Sequence, residues 1–88
     1  MTEKTQVLIV DDEADIRDGV RRWLDASGFE TFVAEDGDAG IESANANVPD
    51  VILLDVLMPR KNGMETLADL QGNQRTHNMP VVMLSASL

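Results

Sequence analysis

Apolar positions in this chain fall into two kinds of pattern, and the two alternate. Val7-Leu8-Ile9-Val10, Val51-Ile52-Leu53-Leu54 and Val81-Val82-Met83-Leu84 are unbroken aliphatic runs. A run apolar on every side chain reads as a strand buried on both faces, the habit of parallel sheets covered by helices. Between these runs the spacing changes to that of a helix. Ile16, Val20, Trp23 and Leu24 fall at i, i+4, i+7 and i+8, which predicts a helix over about 14–27 with Trp23 packed on its core stripe. Asp12 and Asp15 stand where caps or first-turn acids belong, and Gly28 follows in the position of a left-handed stop.

The rest of the chain repeats this alternation. Glu30 to Ala34 predicts a mixed strand, with Phe32 and Ala34 on one face and Thr31 and Val33 on the other. A helix over about 38–47 is weakened by Gly40, Asn45 and Asn47, and its small residues predict close packing on the sheet. Met58 to Gly63 reads as a loop, and Met64, Leu67 and Leu70, with Ala68, mark a helix to about Gln71. Polar residues through Asn78 lead to a last strand from Pro80 to Leu84. The order βαβαβαβ implies right-handed crossovers and an α/β, doubly wound parallel sheet. The 88 residues allow a single domain, 1–88.

Composition narrows the chemistry. Sixteen acidic against seven basic residues give a net charge of −9, which argues against direct nucleic-acid binding and against an anionic membrane surface. The absence of cysteine removes disulfides, zinc thiolates and thiol catalysis. No apolar run approaches the roughly 18 residues of a membrane span, and the N-terminus carries no export pattern. A cytoplasmic location is expected.

The acids at the strand ends stand apart from this charged surface. The first aliphatic run ends at Asp11-Asp12 and the third element of the sheet at Asp55. Ligands of open parallel sheets sit beyond the carboxyl ends of the strands, so neighbouring strands would bring three carboxylates to one crevice. Their repulsion calls for a hard divalent cation such as Mg²⁺, which takes oxygen ligands and often only one or two carboxylates. The bland alternative is that Asp11 and Asp12 merely cap the first helix, but it leaves Asp55 unexplained. Ser85, at the end of the last strand, reads as a turn residue or a hydroxyl donor to an anionic oxygen, with the Ala86 amide beside it. Arg60 and Lys61 border the crevice as a solvated loop pair or as residues steering phosphate.

Taken in order, VLIVDD, VILLDVLMPRKNG and PVVMLSAS resemble the motifs of a response-regulator receiver domain over nearly the whole chain. The resemblance implies a flavodoxin-like receiver fold with strand order 2-1-3-4 in these residues. It implies that Asp55 accepts a phosphoryl group from a sensor histidine kinase or phosphotransfer protein. It further implies that Asp11, Asp12, Asp55 and the backbone carbonyl of Leu57 hold Mg²⁺, and that Ser85 and Ala86 contact the phosphoryl group. The family continues with another helix, a fifth strand bearing a lysine, and a last helix. The expectation is that the chain is truncated after the fourth strand, with Lys61 no substitute for that lysine. A bare fourth strand is then expected to drive homo-oligomerisation through residues 80–86.

Two other readings compete. One is an interaction or dimerisation module that retains only the fold. The other is a Mg²⁺-dependent phosphohydrolase of the haloacid dehalogenase type, which places an acid two residues after its nucleophile. Here that position is Leu57, which cannot transfer protons, so a switch rather than a turnover enzyme is expected.

Overall fold

The computed structural model describes residues 3–84, and every predicted element is present. The strands are β1 (Gln6–Val10), β2 (Glu30–Ala34), β3 (Val51–Asp55) and β4 (Val81–Leu84). The helices are α1 (Ala14–Ala26), α2 (Gly37–Asn47) and α3 (Gly63–Gln71). All strands pair in parallel in the order β2-β1-β3-β4. This is the flavodoxin-like arrangement expected for the resembled family. No helix among the described residues is long and apolar enough to cross a membrane.

Alternate strand residues feed two separate apolar layers. Leu8, Val10, Ile52 and Leu54 are fully buried with Ala34, Ala44, Met58 and Leu70, on the side that α2 and α3 cover. Val7 and Ile9 bury with Leu24 of α1 on the opposite side, flanked by half-buried Val51 and Leu53. The sheet is thus wound on both faces. Complete burial of the two central strands explains why their sequences carry no polar alternation.

Helix α2, weak by propensity, exists because it can approach closely. A Cβ placed at Gly40 would stand 2.9 Å from Cγ2 of Val10, so only glycine lets the helix lie against β1. Asp36 caps its N-terminus by accepting from the Ala39 amide at 2.8 Å. At its other end Arg75 donates to the Asn45 carbonyl through Nε at 3.2 Å and Nη2 at 2.8 Å. Those bonds satisfy a carbonyl that the helix terminus leaves without a partner.

Four apolar assignments are corrected, among them Ile16 on the α1 stripe and Val82 in β4, which are 42% and 48% exposed. Trp23 is 70% exposed rather than packed in the core. Leu24 makes the sheet contact, and at 3.6 residues per turn its neighbour Trp23 lies about 100° around the helix. Met64, one of the apolar positions whose spacing marks α3, is also exposed. Thr66 takes the inward position, its hydroxyl donating to the Asn62 carbonyl at 3.0 Å.

The C-cap of α2 is Val48 at φ +46, a left-handed conformation that a β-branched residue adopts at a penalty. Its side chain is about half exposed, so little apolar burial offsets that strain. Replacing it with asparagine, which tolerates the left-handed region, is expected to stabilise the fold by about 1 kcal/mol. Urea unfolding of Val48→Asn against the parent chain measures this through the midpoint at constant slope.

Candidate metal and phosphoacceptor site

The pairing of β1 with β3 assembles the site. Val10 lies opposite Leu54, so the chain beyond Val10 runs alongside Asp55. Oxygens from the carboxylates of Asp11, Asp12 and Asp55 all lie within 4.8 Å of one another. Asp11 and Asp55 are buried at 6% and 5% exposure, while Asp12 opens to solvent. The sequence reading therefore brought together the residues that the fold brings together.

Two of the acids, Asp11 and Asp55, are held by backbone. The Asp11 amide donates to the Ala34 carbonyl at 3.1 Å, extending the β1–β2 ladder past its last pair. Its carboxylate accepts from the Glu13 amide at 2.9 Å, which turns the chain into α1. Asp11 thus braces the turn into α1 without capping it, so neither acid of the pair plays the N-cap role weighed for it. Glu13 occupies the N-cap itself and makes no side-chain cap. Asp55 Oδ1 accepts from the Leu57 amide at 3.2 Å, which ties the acid to its own following loop. The Leu57 side chain points to solvent and offers no proton-transfer group.

Charge inside the cluster is poorly compensated. Among the described residues no lysine or arginine pairs with any of the three carboxylates. Arg17, the cation nearest Asp11 and Asp12 in sequence, donates to the Asp11 backbone carbonyl at 2.8 Å. Burial pushes the Asp55 carboxyl above its ordinary range, and the neighbouring charges of Asp11 and Asp12 push it the same way. The Leu57 amide pulls in the opposite direction without cancelling them. A mutually repelling set of carboxylate oxygens, two of them from buried acids, is a donor set suited to a hard divalent cation.

The loop after Asp55 is shaped by a close approach. A Cβ at Gly63 would press on the Asp55 carbonyl and stand 2.8 Å from Val56 Cα, so glycine alone lets α3 begin here. The Gly63 amide donates to the Val56 carbonyl at 2.9 Å and closes the loop on itself. Asn62 and Glu65 then form a reciprocal capping box, with bonds of 2.9 and 3.1 Å. Sequence reasoning passed over this cap, although an Asn followed three residues later by Glu is its signature. It also left Lys61 as a solvated residue, whereas the side chain bonds Asp69 and, at 3.2 Å, Asp38. His77 lies in an exposed turn. Ser85 and Ala86 lie outside the described residues. They follow Leu84, which pairs in register with Asp55.

Two outcomes follow for the metal-free chain. The folded state holds the Asp55 proton more tightly than the unfolded chain, so stability falls as pH rises through the raised value, and ionised Asp55 opposes folding at neutral pH. Asp55→Asn should accordingly raise stability at pH 7 by on the order of 1 kcal/mol, the size of one like-charge coupling. That gain should shrink toward pH 4, as thermal unfolding at both pH values will show. Gly63→Ala should cost about 1–3 kcal/mol through overpacking against backbone, read from denaturant midpoints.

Comparison with known proteins agrees with this geometry. The family model described as the response regulator receiver domain matches residues 7–88. The transcriptional regulatory protein CpxR of Klebsiella pneumoniae subsp. pneumoniae (strain HS11286) is 41% identical over 81 residues, 92% of this chain and 33% of that protein. The phosphate regulon transcriptional regulatory protein PhoB of Escherichia coli (strain K12) is 40% identical over 81 residues, again 92% of this chain and 35% of its own length. The chain thus spans about a third of the length of these curated relatives. Among solved structures, the Vibrio cholerae chemotaxis protein CheY4 superposes with a TM-score of 0.92 at 31% identity, covering 98% of this chain and 72% of that one. The N-terminal domain of a response regulator receiver protein from Methanoculleus marisnigri JR1 gives 0.91 at 35% identity, covering 93% and 67%. With its acids gathered at the ends of β1 and β3 and this likeness along nearly its whole length, the chain belongs to the response-regulator receiver-domain family of two-component signalling.

Proposed function

We propose that Asp55 is the phosphoacceptor and that Asp11, Asp12, Asp55 and the backbone carbonyl of Leu57 hold Mg²⁺. The observation that carries this reading is the convergence of three carboxylates, two of them buried, with no cationic partner among the described residues. Bound there, the ion would offset the charge of the acids and of an arriving phosphoryl group, the usual electrostatic service of a divalent cation in phosphoryl transfer.

The chain's own residues account for the rest of the chemistry. A carboxylate oxygen of Asp55 forms the new P–O bond as the P–N bond of a kinase or phosphotransfer-protein phosphohistidine breaks. The departing imidazole nitrogen keeps the bonding pair and is reprotonated from solvent. The Leu57 amide fixes the Asp55 carboxylate in place for that attack. Ser85 and Ala86, next in the chain after the residue aligned with Asp55, are proposed to receive the phosphoryl oxygens. The new charge then reorders its surroundings, which makes the domain a switch. With a net charge of −9 the segment offers no footprint for a phosphate backbone, and a cytoplasmic protein partner suits it better than nucleic acid. For the 88-residue chain we further propose self-association through β4, whose apolar side chains include Val82 at 48% exposure and which pairs only with β3 among the described residues.

Incubation with Mg²⁺ and acetyl phosphate should give one phosphoryl adduct by mass spectrometry. The adduct should be absent in Asp55→Asn and absent when the metal is chelated. No adduct would leave a module that has kept the fold without the switch, and sustained phosphate release would mark a hydrolase. Sedimentation velocity should show dimers at high micromolar concentration, and a clean monomer there would exclude the β4 contact.

A further inference from the structure

The loop that follows Asp55 carries two adjacent cations, and both are engaged away from the acidic cluster. Arg60 approaches Asp36, the N-cap of α2, at 3.9 Å. Lys61 reaches farther, to Asp38 in the first turn of α2 at 3.2 Å and to Asp69 in α3. Its stem lies over Gly37: a Cβ there would stand 3.2 Å from both Cγ and Cδ of Lys61. The lysine side chain is only 26% exposed, although both acids are more open. Bonding first to Asp69 and then to Asp38 holds the ammonium above its ordinary pKa.

The backbone beside this contact is strained. Arg60 sits at φ +64, in the left-handed region that residues with a side chain enter reluctantly. Such a conformation persists where its surroundings over-determine it. At Arg60 the determinants are the Lys61 amide bonded to the Pro59 carbonyl at 2.7 Å, the Gly63–Val56 closure, and the lysine strap itself. The other limb of the same loop carries the Leu57 amide that holds Asp55.

We infer that Lys61 is a positioning residue for the Asp55 site, its double ion pair to α2 and α3 clamping the 56–62 loop so that the Leu57 backbone stays aligned on the carboxylate cluster. This rests on the Mg²⁺ reading proposed above. It also makes a prediction of sign that simple electrostatics opposes. Removing a positive charge near an acidic site strengthens cation binding through the general field. Removing a strap that aligns the binding loop weakens it.

The test is calorimetric titration of Mg²⁺ into the parent chain, Lys61→Met and Lys61→Gln, with amide exchange followed by NMR. Both variants should bind Mg²⁺ about two- to fivefold more weakly, the scale of a partly exposed ion-pair network. Exchange at the Leu57 and Gly63 amides should quicken while the β1 and β3 amides stay protected, which certifies the fold. Lys61→Arg should recover part of the affinity. Unchanged or tighter binding in Lys61→Met and Lys61→Gln would overturn the inference, as would weaker binding with the Leu57 and Gly63 amides unaffected. A parent chain that binds no Mg²⁺ would instead remove the metal reading itself.

Discussion

The register of β1 against β3 is the constraint on which the rest depends. Because Val10 faces Leu54, the strands end level and their terminal acids meet. A slip of one residue would send every side chain of a strand to the opposite face and force both close-packed layers to repack. The layers therefore lock the register, and the register fixes the site. Leu8, Val10, Ile52 and Leu54, each at 1% exposure or less, make that slip expensive. Carboxylates that repel one another are held together by apolar packing below them. The energy of the core is thereby stored in part as electrostatic tension at its rim.

That tension centres on Asp55. Burial and the neighbouring charges hold the Asp55 carboxyl above its ordinary range, so a bound cation or a change in its charge acts on an already stressed point. The glycine at 63 and the Asn62–Glu65 box set α3 immediately beside it. A change at Asp55 is thus adjacent to the start of a helix, where a small displacement is carried along a rigid element. Arg75 and Lys61 bind the two ends of α2 to this same unit.

The legible parts of this fold were those written in simple periods. Continuous aliphatic runs marked β1, β3 and β4, and the acids that ended two of them marked the site. Glycine at 40 announced close packing before any contact was known, and Gly28 takes the left-handed conformation expected of it, at φ +97. What stayed hidden depended on geometry that no short window contains. Trp23 and Leu24 share one apolar stripe in sequence, yet a single helix has room to press only part of its stripe onto β1. Lys61 looked like a loop charge because its partners Asp38 and Asp69 lie on two different helices. Thr66 was overlooked for the converse reason, as its polar side chain is buried by satisfying its own helix.

The exposed indole of Trp23 has a consequence for anyone following this protein by light. The chain has no tyrosine and no other tryptophan, so its near-ultraviolet absorbance and intrinsic emission come chiefly from that one side chain. With 70% of its surface already in water, the ring reports the solvent more than the fold. Its native spectrum is expected to lie close to that of the denatured state. The molecule is therefore nearly silent to the commonest optical probe of unfolding, and its transitions have to be read from the backbone.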